Sequence, residues 1–156
     1  MKHSAQIRRI AATMLVLLLV GCGSMGTTIT SEGGDELVGT RWLAEDIDGK
    51  GVIDMLQTTL AFVTNTNARA SGGCNNAFGN VTFKGDQIEF GAFGVTMKMC
   101  SEAISGQETR FFKALGETRR YRLDTYRDLL FFMDKDGREI IRFSRMAPLE
   151  TEPVDD

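Results

Sequence analysis

At 156 residues with 42% hydrophobic side chains, the chain is long enough to bury one core and too short for two domains of ordinary size. Its 18 Lys+Arg against 21 Asp+Glu, a formal net charge of −3, supply no basic footprint, which excludes nucleic acid as the expected partner. The single histidine, His3, sits at the extreme N-terminus, so any chemistry farther along must run on thiols, carboxylates or lysine.

The chain opens with Lys2, Arg8 and Arg9 ahead of the apolar run Ile10 to Val20. That run is shorter than the ~20 residues a spanning helix needs, so residues 1–21 read as a secretory signal. It ends in Leu19-Val20-Gly21-Cys22, which resembles the bacterial lipobox; the alternative is an ordinary signal peptide with a chance cysteine. The resemblance implies that the Cys22 thiol carries diacylglycerol and that the protein is held to a membrane without crossing it. Several acyl chains, at about 0.8 kcal/mol per buried methylene, give lasting attachment where one chain does not. Gly23 follows the cysteine, and resemblance to lipoprotein sorting rules then implies the periplasmic face of the outer membrane. A Gram-positive relative would instead carry it on the outer face of the plasma membrane.

Removing Lys2, Arg8 and Arg9 with the signal leaves 15 Lys+Arg against 21 Asp+Glu, a formal net charge of −6, and removes His3. Imidazole-based triads, histidine-ligated zinc and histidine acid-base catalysis are thereby excluded from the mature chain. Residues 22–35 are rich in Gly, Ser and Thr and are expected to form a flexible tether of roughly 20 Å reach. Residues 36–146 form the expected domain, and residues 147–156, acidic and holding both prolines, an expected disordered tail.

Within the domain, Trp42 is expected to anchor the core near the first strand. Glu45, Asp46 and Asp48, ahead of Gly49, read as a solvated loop in preference to paired catalytic carboxylates. Period-two alternation then dominates: Val81 and Phe83 against Thr82 and Lys84, Ile88 and Phe90 against Glu89, Ile141 and Phe143 against Arg142 and Ser144. Turns are expected at Lys84 to Asp86 and at Asp134 to Gly137, the second joining Leu129 to Met133 with Glu139 to Phe143 as a hairpin. Gly137 follows Asp134 and Asp136 too early for an EF-hand, so no calcium loop is read there.

One helix is expected to begin at a capping box, Ser105-Gly106-Gln107-Glu108, to present Ile104, Phe111, Phe112 and Leu115 to a sheet, and to stop at Gly116. An exposed partner patch is the alternative for the two phenylalanines. In the run Thr118 to Leu123, alternation sets Arg120 and Arg122 opposite Tyr121 and Leu123, a solvent-facing strand more simply than a site for anionic head groups. The expected fold class is α+β, a mostly antiparallel β-sheet or partly open barrel with one packed α-helix.

With Cys22 assigned to lipid, Cys74 and Cys100 remain. An oxidising compartment favours a structural disulfide; two reduced buried thiols, or redox or metal chemistry, are the alternatives. Neither cysteine lies in a Cys-x-x-Cys motif, and two cysteines without histidine make only half a usual zinc shell. Around Cys74, Gly72 and Gly73 are expected to permit the close approach a disulfide needs, and Asn75 to adopt a left-handed turn.

Three segments carry a family resemblance: Gly39-Thr40-Arg41-Trp42; Gly73-Cys74-Asn75 with Gly79 four residues beyond; and Thr96 to Cys100. With the helix and closing hairpin, they resemble the META domain of HslJ-like bacterial envelope lipoproteins over essentially the whole domain. Lys98 departs from the methionine often found there, with Met97 and Met99 on either side. The resemblance implies a compact β-rich domain with a helix in a bacterial envelope, with Gly39, Trp42, Gly73, Asn75, Gly79 and Thr96 as motif positions. It implies induction by envelope stress, but no catalytic residue, metal or cofactor.

Two functional readings follow. The preferred one is a noncatalytic lipid-anchored envelope protein, a binding or stress-tolerance module that meets another envelope protein or a cell-wall component. The alternative is a thiol-dependent redox or hydrolytic enzyme centred on Cys74.

Overall fold

A computed structural model describes residues 33–147. Nine strands and one helix follow in order: β1 (Arg41–Ile47), β2 (Lys50–Gly51), β3 (Thr59–Phe62), β4 (Asn67–Ser71), β5 (Asn76–Lys84), β6 (Gln87–Val95), α1 (Glu102–Glu117), β7 (Arg120–Asp124), β8 (Leu129–Met133) and β9 (Glu139–Arg145). Every pairing between neighbouring strands is antiparallel. Because β1 pairs with β9 as well as β3, the sheet returns on itself as a near-closed ring. A strand has only two edges, so β2 and β3 share the edge of β1 that β9 leaves.

The ring is weakest between β6 and β7, which meet at the single register pair Gln87 and Arg120. The chain leaves β6, runs through α1 and returns as β7, and the helix packs against β6 and β9. Its Phe112 ring sits 6.1 Å from Phe93 of β6, and its Phe111 ring 6.3 Å from Phe143 of β9. The α+β expectation, with a partly open barrel and one packed helix, holds in this form.

Inward-facing side chains fill the ring, as period-two alternation requires. Trp42, Leu60, Phe62, Val81, Ile88, Phe132 and Phe143 are all essentially inaccessible. Phe132 links Phe90 and Phe143 at centroid separations of 5.6 and 5.2 Å, an aromatic spine worth about 0.5 to 1.5 kcal/mol per pair beyond the area buried. Arg120 and Arg122 point outward from β7 while Tyr121 is buried, as the alternation predicts. The Arg122 guanidinium lies 3.8 Å over the Phe131 ring, which shields an apolar residue on the outer face of β8.

The helix boundaries differ from the sequence expectation. α1 starts at Glu102 with Ser101 in the N-cap position, and the Ser105 N–H already donates to Ser101 O at 3.0 Å. Ser105 therefore sits inside the first turn and caps nothing, while Glu108 turns away to bond elsewhere. At the far end Gly116 remains helical, and Thr118 closes the helix by donating its hydroxyl to Ala114 O at 2.9 Å. Phe111 and Leu115 are buried and Phe112 half-buried, so the helix's phenylalanines belong to the core side.

The N-terminal boundary also shifts. Gly34 and Asp35, assigned to the tether by composition, belong to the folded unit: Gly34 is buried, donates its N–H to Tyr121 Oη at 3.2 Å, and precedes a 3-10 turn over Asp35–Leu37. Residues 1–21, expected to be a signal, Cys22, expected to carry lipid, most of the expected tether and nearly all of the expected tail lie outside the described residues.

Candidate functional site

The Ser71 to Asn80 stretch folds as the junction of β4 and β5, and two side chains organise it. Cys74 is joined to Cys100 with a Cα–Cα separation of 6.1 Å, within the usual range for a disulfide. Asn75, 7% exposed, uses its whole hydrogen-bonding capacity. Its backbone N–H and side-chain amide donate to the two Glu108 oxygens at 2.6 and 2.7 Å. Its Oδ1 accepts from Thr96 Oγ1 at 3.0 Å and from the Lys98 N–H at 2.7 Å, and its amide also reaches Lys98 O at 3.4 Å. Helix, strand and the segment leading to Cys100 are thus knotted at one amide. Lys98 enters only through its backbone, which is why its departure from methionine leaves the knot intact.

The neighbouring glycines have a different role from the one the sequence suggests. A Cβ on Gly72 would fall 2.4 Å from Glu108 Cγ, and one on Gly73 would fall 2.6 Å from Leu56 Cγ. They make room for Glu108 and Leu56, not for the disulfide. The positive φ of this turn, 103°, belongs to Gly73; Asn75 has none, so its contribution is its side chain and not a left-handed backbone.

The remaining motif positions are placed for packing or hydrogen bonding. Trp42 is fully buried, donating Nε1–H to Thr40 Oγ1 at 2.7 Å. Gly39, at φ 75°, sends its N–H to Phe62 O at 2.8 Å where the chain enters β1. Gly79 lies beside the register shift between β5 and β6, its Cβ position 2.9 Å from Ala92 O. Thr96 is exposed yet serves the knot, its Oγ1 also accepting the Asn76 N–H at 3.1 Å. The acidic cluster is dispersed: Asp46 accepts the Gly49 N–H, Asp48 pairs with Arg138, and Glu45 faces Arg142. Among the described residues, no group of three or more His, Cys, Asp or Glu converges to hold a metal ion.

A second region was not singled out from the sequence. On the outer face of β3, β4 and β5 lies an open groove of about 810 Å³. Register places one row straight across it: Arg41 opposite Ala61, Ala61 opposite Arg69, Arg69 opposite Phe78, and Phe78 opposite Gly94. Ala61 leaves a low floor between the arginines, and Gly94 lies beside the Phe78 ring, its Cβ position 3.4 Å from Phe78 Cζ. Phe78 is 71% exposed although it sits mid-strand. Among the described residues neither arginine forms an ion pair, and no Asp or Glu lines the groove.

The same architecture recurs in solved structures. An NMR structure of a protein from Burkholderia xenovorans matches at TM-score 0.59 and 21% identity, over 72% of this chain and 85% of that one. A second NMR structure matches at TM-score 0.55 and 17% identity, over 69% and 90% of the two chains. A crystal structure of a DUF4847 family protein from Bacteroides vulgatus matches at TM-score 0.50 and 13% identity, over 69% and 93%. At these identities the likeness concerns the fold alone. No curated protein matches the chain in sequence. The sequence pattern of the META domain, however, matches residues 35–147, the whole ring with its helix and the glycine-cysteine-asparagine knot, and the chain belongs to the META domain family.

Proposed function

We propose that this META domain protein is a noncatalytic envelope lipoprotein, attached through Cys22 at the periplasmic face of the outer membrane, that binds an envelope protein or cell-wall component. The groove over β3 to β5 is its contact surface. The observation that carries this reading is Phe78, a large apolar side chain left 71% exposed on a strand whose other outward residues, Asn76, Asn80, Thr82 and Lys84, are polar. A partner that covered this ring would remove its apolar area from water, a gain of about 25 cal/mol per Å².

The knot supports a binding role over a catalytic one. Cys74 is bonded to Cys100, and Glu108, the carboxylate nearest that loop, has both oxygens occupied by Asn75. A thiol enzyme centred on Cys74 needs a free sulfur and a base beside it.

A photo-crosslinking residue in place of Phe78, expressed in intact cells, tests the contact surface. A discrete adduct absent when the probe replaces the still more exposed Tyr126 is the expected result; identical adduct patterns at both positions would refute it. The anchor is tested by fractionation: Cys22→Ala is expected to release the protein from the membrane fraction, and its retention there would overturn the lipid assignment.

A further inference from the structure

We infer that the groove receives an acidic, extended peptide segment of its partner, an inference that rests on the groove being the contact surface. Charge complementarity is the first ground. The chain is net negative, yet the groove lining holds Arg41 and Arg69 and no carboxylate. The two arginines stand two strands apart in one cross-strand row, about 10 Å between backbones at the usual strand spacing. Alternate side chains of an extended segment are about 7 Å apart on one face, a mismatch well within the reach of two arginine side chains. Each guanidinium presents a planar fork that takes a carboxylate bidentately.

The second ground is the composition of the rest of the groove. Thr59 and Ser71 form the next cross-strand row with Asn76, and Asn67 stands toward the opposite end, so hydroxyl and amide groups flank the arginines on both sides. Such groups suit the N–H and C=O groups of a peptide backbone, which a simple anion does not offer. Phe78 adds a surface for one apolar side chain between acidic ones.

An NMR titration of the full-length chain tests this, using a peptide of alternating Glu and Leu beside its Gln and Leu counterpart. Expected are shifts confined to residues 59–61, 67–71 and 76–79 and to the side chains of Arg41 and Arg69. Binding of the glutamine peptide is expected to be at least about tenfold weaker, and binding of the glutamate peptide to weaken with salt. The double variant Arg41→Gln, Arg69→Gln should lose binding at an unchanged unfolding midpoint, since both side chains face out of the core.

Equal affinity for the two peptides, undiminished binding by the double variant, or a response to vesicles of anionic lipid but not to peptide would each overturn the proposal. The chain's own acidic residues Glu150, Glu152, Asp155 and Asp156 follow Met146 in the sequence, and the Met146 N–H bonds to O of the groove residue Arg41 at 2.8 Å. A variant carrying Gln or Asn at those four positions is therefore titrated in parallel, and absence of binding in both forms also overturns the proposal. A partner captured at Phe78 together with no response to the acidic peptide would refute the acidic occupant while leaving the groove as the contact surface.

Discussion

Glu108 gives both carboxylate oxygens to one residue, Asn75, 33 positions earlier in the chain: one to its backbone N–H at 2.6 Å, the other to its side-chain amide at 2.7 Å. The pair ties α1 to the start of β5. Its neighbour Gln107 repeats the device, accepting the Ile53 N–H at 2.7 Å and donating to the buried Thr58 hydroxyl at 2.9 Å. Polar side chains, as much as the apolar stripe, fix where the helix lies.

Asn75→Ala is expected to cost about 1 to 3 kcal/mol, because it leaves the Lys98 N–H and the half-buried Glu108 carboxylate short of partners. Glu108→Gln is the sharper test. Both groups facing Glu108 are donors, so a glutamine must turn its own NH2 toward one of them, at an expected cost of about 1 to 3 kcal/mol despite its identical shape. Urea unfolding measures both, and a neutral Glu108→Gln would mean that the two charge-assisted bonds contribute nothing.

Gly72 and Gly39 predict contrasting costs for the same change. At Gly72 a Cβ would lie 2.4 Å from Glu108 Cγ, so Gly72→Ala must displace the carboxylate from Asn75 and should approach the cost of Asn75→Ala. At Gly39 nothing lies within 4 Å, and the only penalty is the left-handed backbone at φ 75°, about 1 to 2 kcal/mol for an alanine. The discriminating measurement is coupling. Combining Gly72→Ala with Glu108→Ala should relieve much of the Gly72 cost, whereas combining Gly39→Ala with Glu108→Ala should be additive.

The contrast between these sites shows what the sequence made legible. Strands with one buried face announced themselves by alternation: Val81, Ile88, Ile141 and Phe143 are buried as that pattern requires, and Phe83 and Phe90 partly so. The cysteine pair was legible by arithmetic. What stayed hidden needs the third dimension: Glu108 fits a capping box as a string of letters, and only the earlier start of α1 turns it toward Asn75. The groove was hidden for a related reason. Arg41, Arg69 and Phe78 become neighbours only through the register of four strands.

Replacing Cys74 and Cys100 by alanine together is expected to lower stability by about 3 kcal/mol, from the closed loop of 26 residues in the chain-entropy model. The fold should persist, because the Asn75 bonds to Thr96 and Lys98 hold the same segment from the folded side. Unchanged amide shifts for β1 and β9, with a lower midpoint of unfolding, are the expected signature. Loss of shift dispersion throughout the ring would show instead that the bond is required to form the fold.

Tyr121 gives the chain an alkaline limit. Its hydroxyl donates to Glu36 Oε1 at 2.6 Å and accepts the Gly34 N–H at 3.2 Å, which pins the entry segment against β7. Burial, followed by the hydrogen bond and the negative charge of Glu36, pushes its pKa up from 10.0 to about 12. The folded value lies above the unfolded one, so the native state favours the protonated phenol. This contribution is fully present below pH 10 and is lost as the pH rises from 10 through about 12. At about 1.4 kcal/mol per pKa unit, discounted for the solvent that screens the exposed Glu36, it amounts to roughly 1 to 2 kcal/mol. Denaturant unfolding across that window, on the native chain and on Tyr121→Phe, separates this group from everything the two chains share. The native chain should lose stability more steeply; the variant should start lower at neutral pH, with the Gly34 N–H unpaired, and the two curves should converge as pH rises. Parallel curves would show that Tyr121 ionises no more reluctantly in the fold than in the unfolded chain.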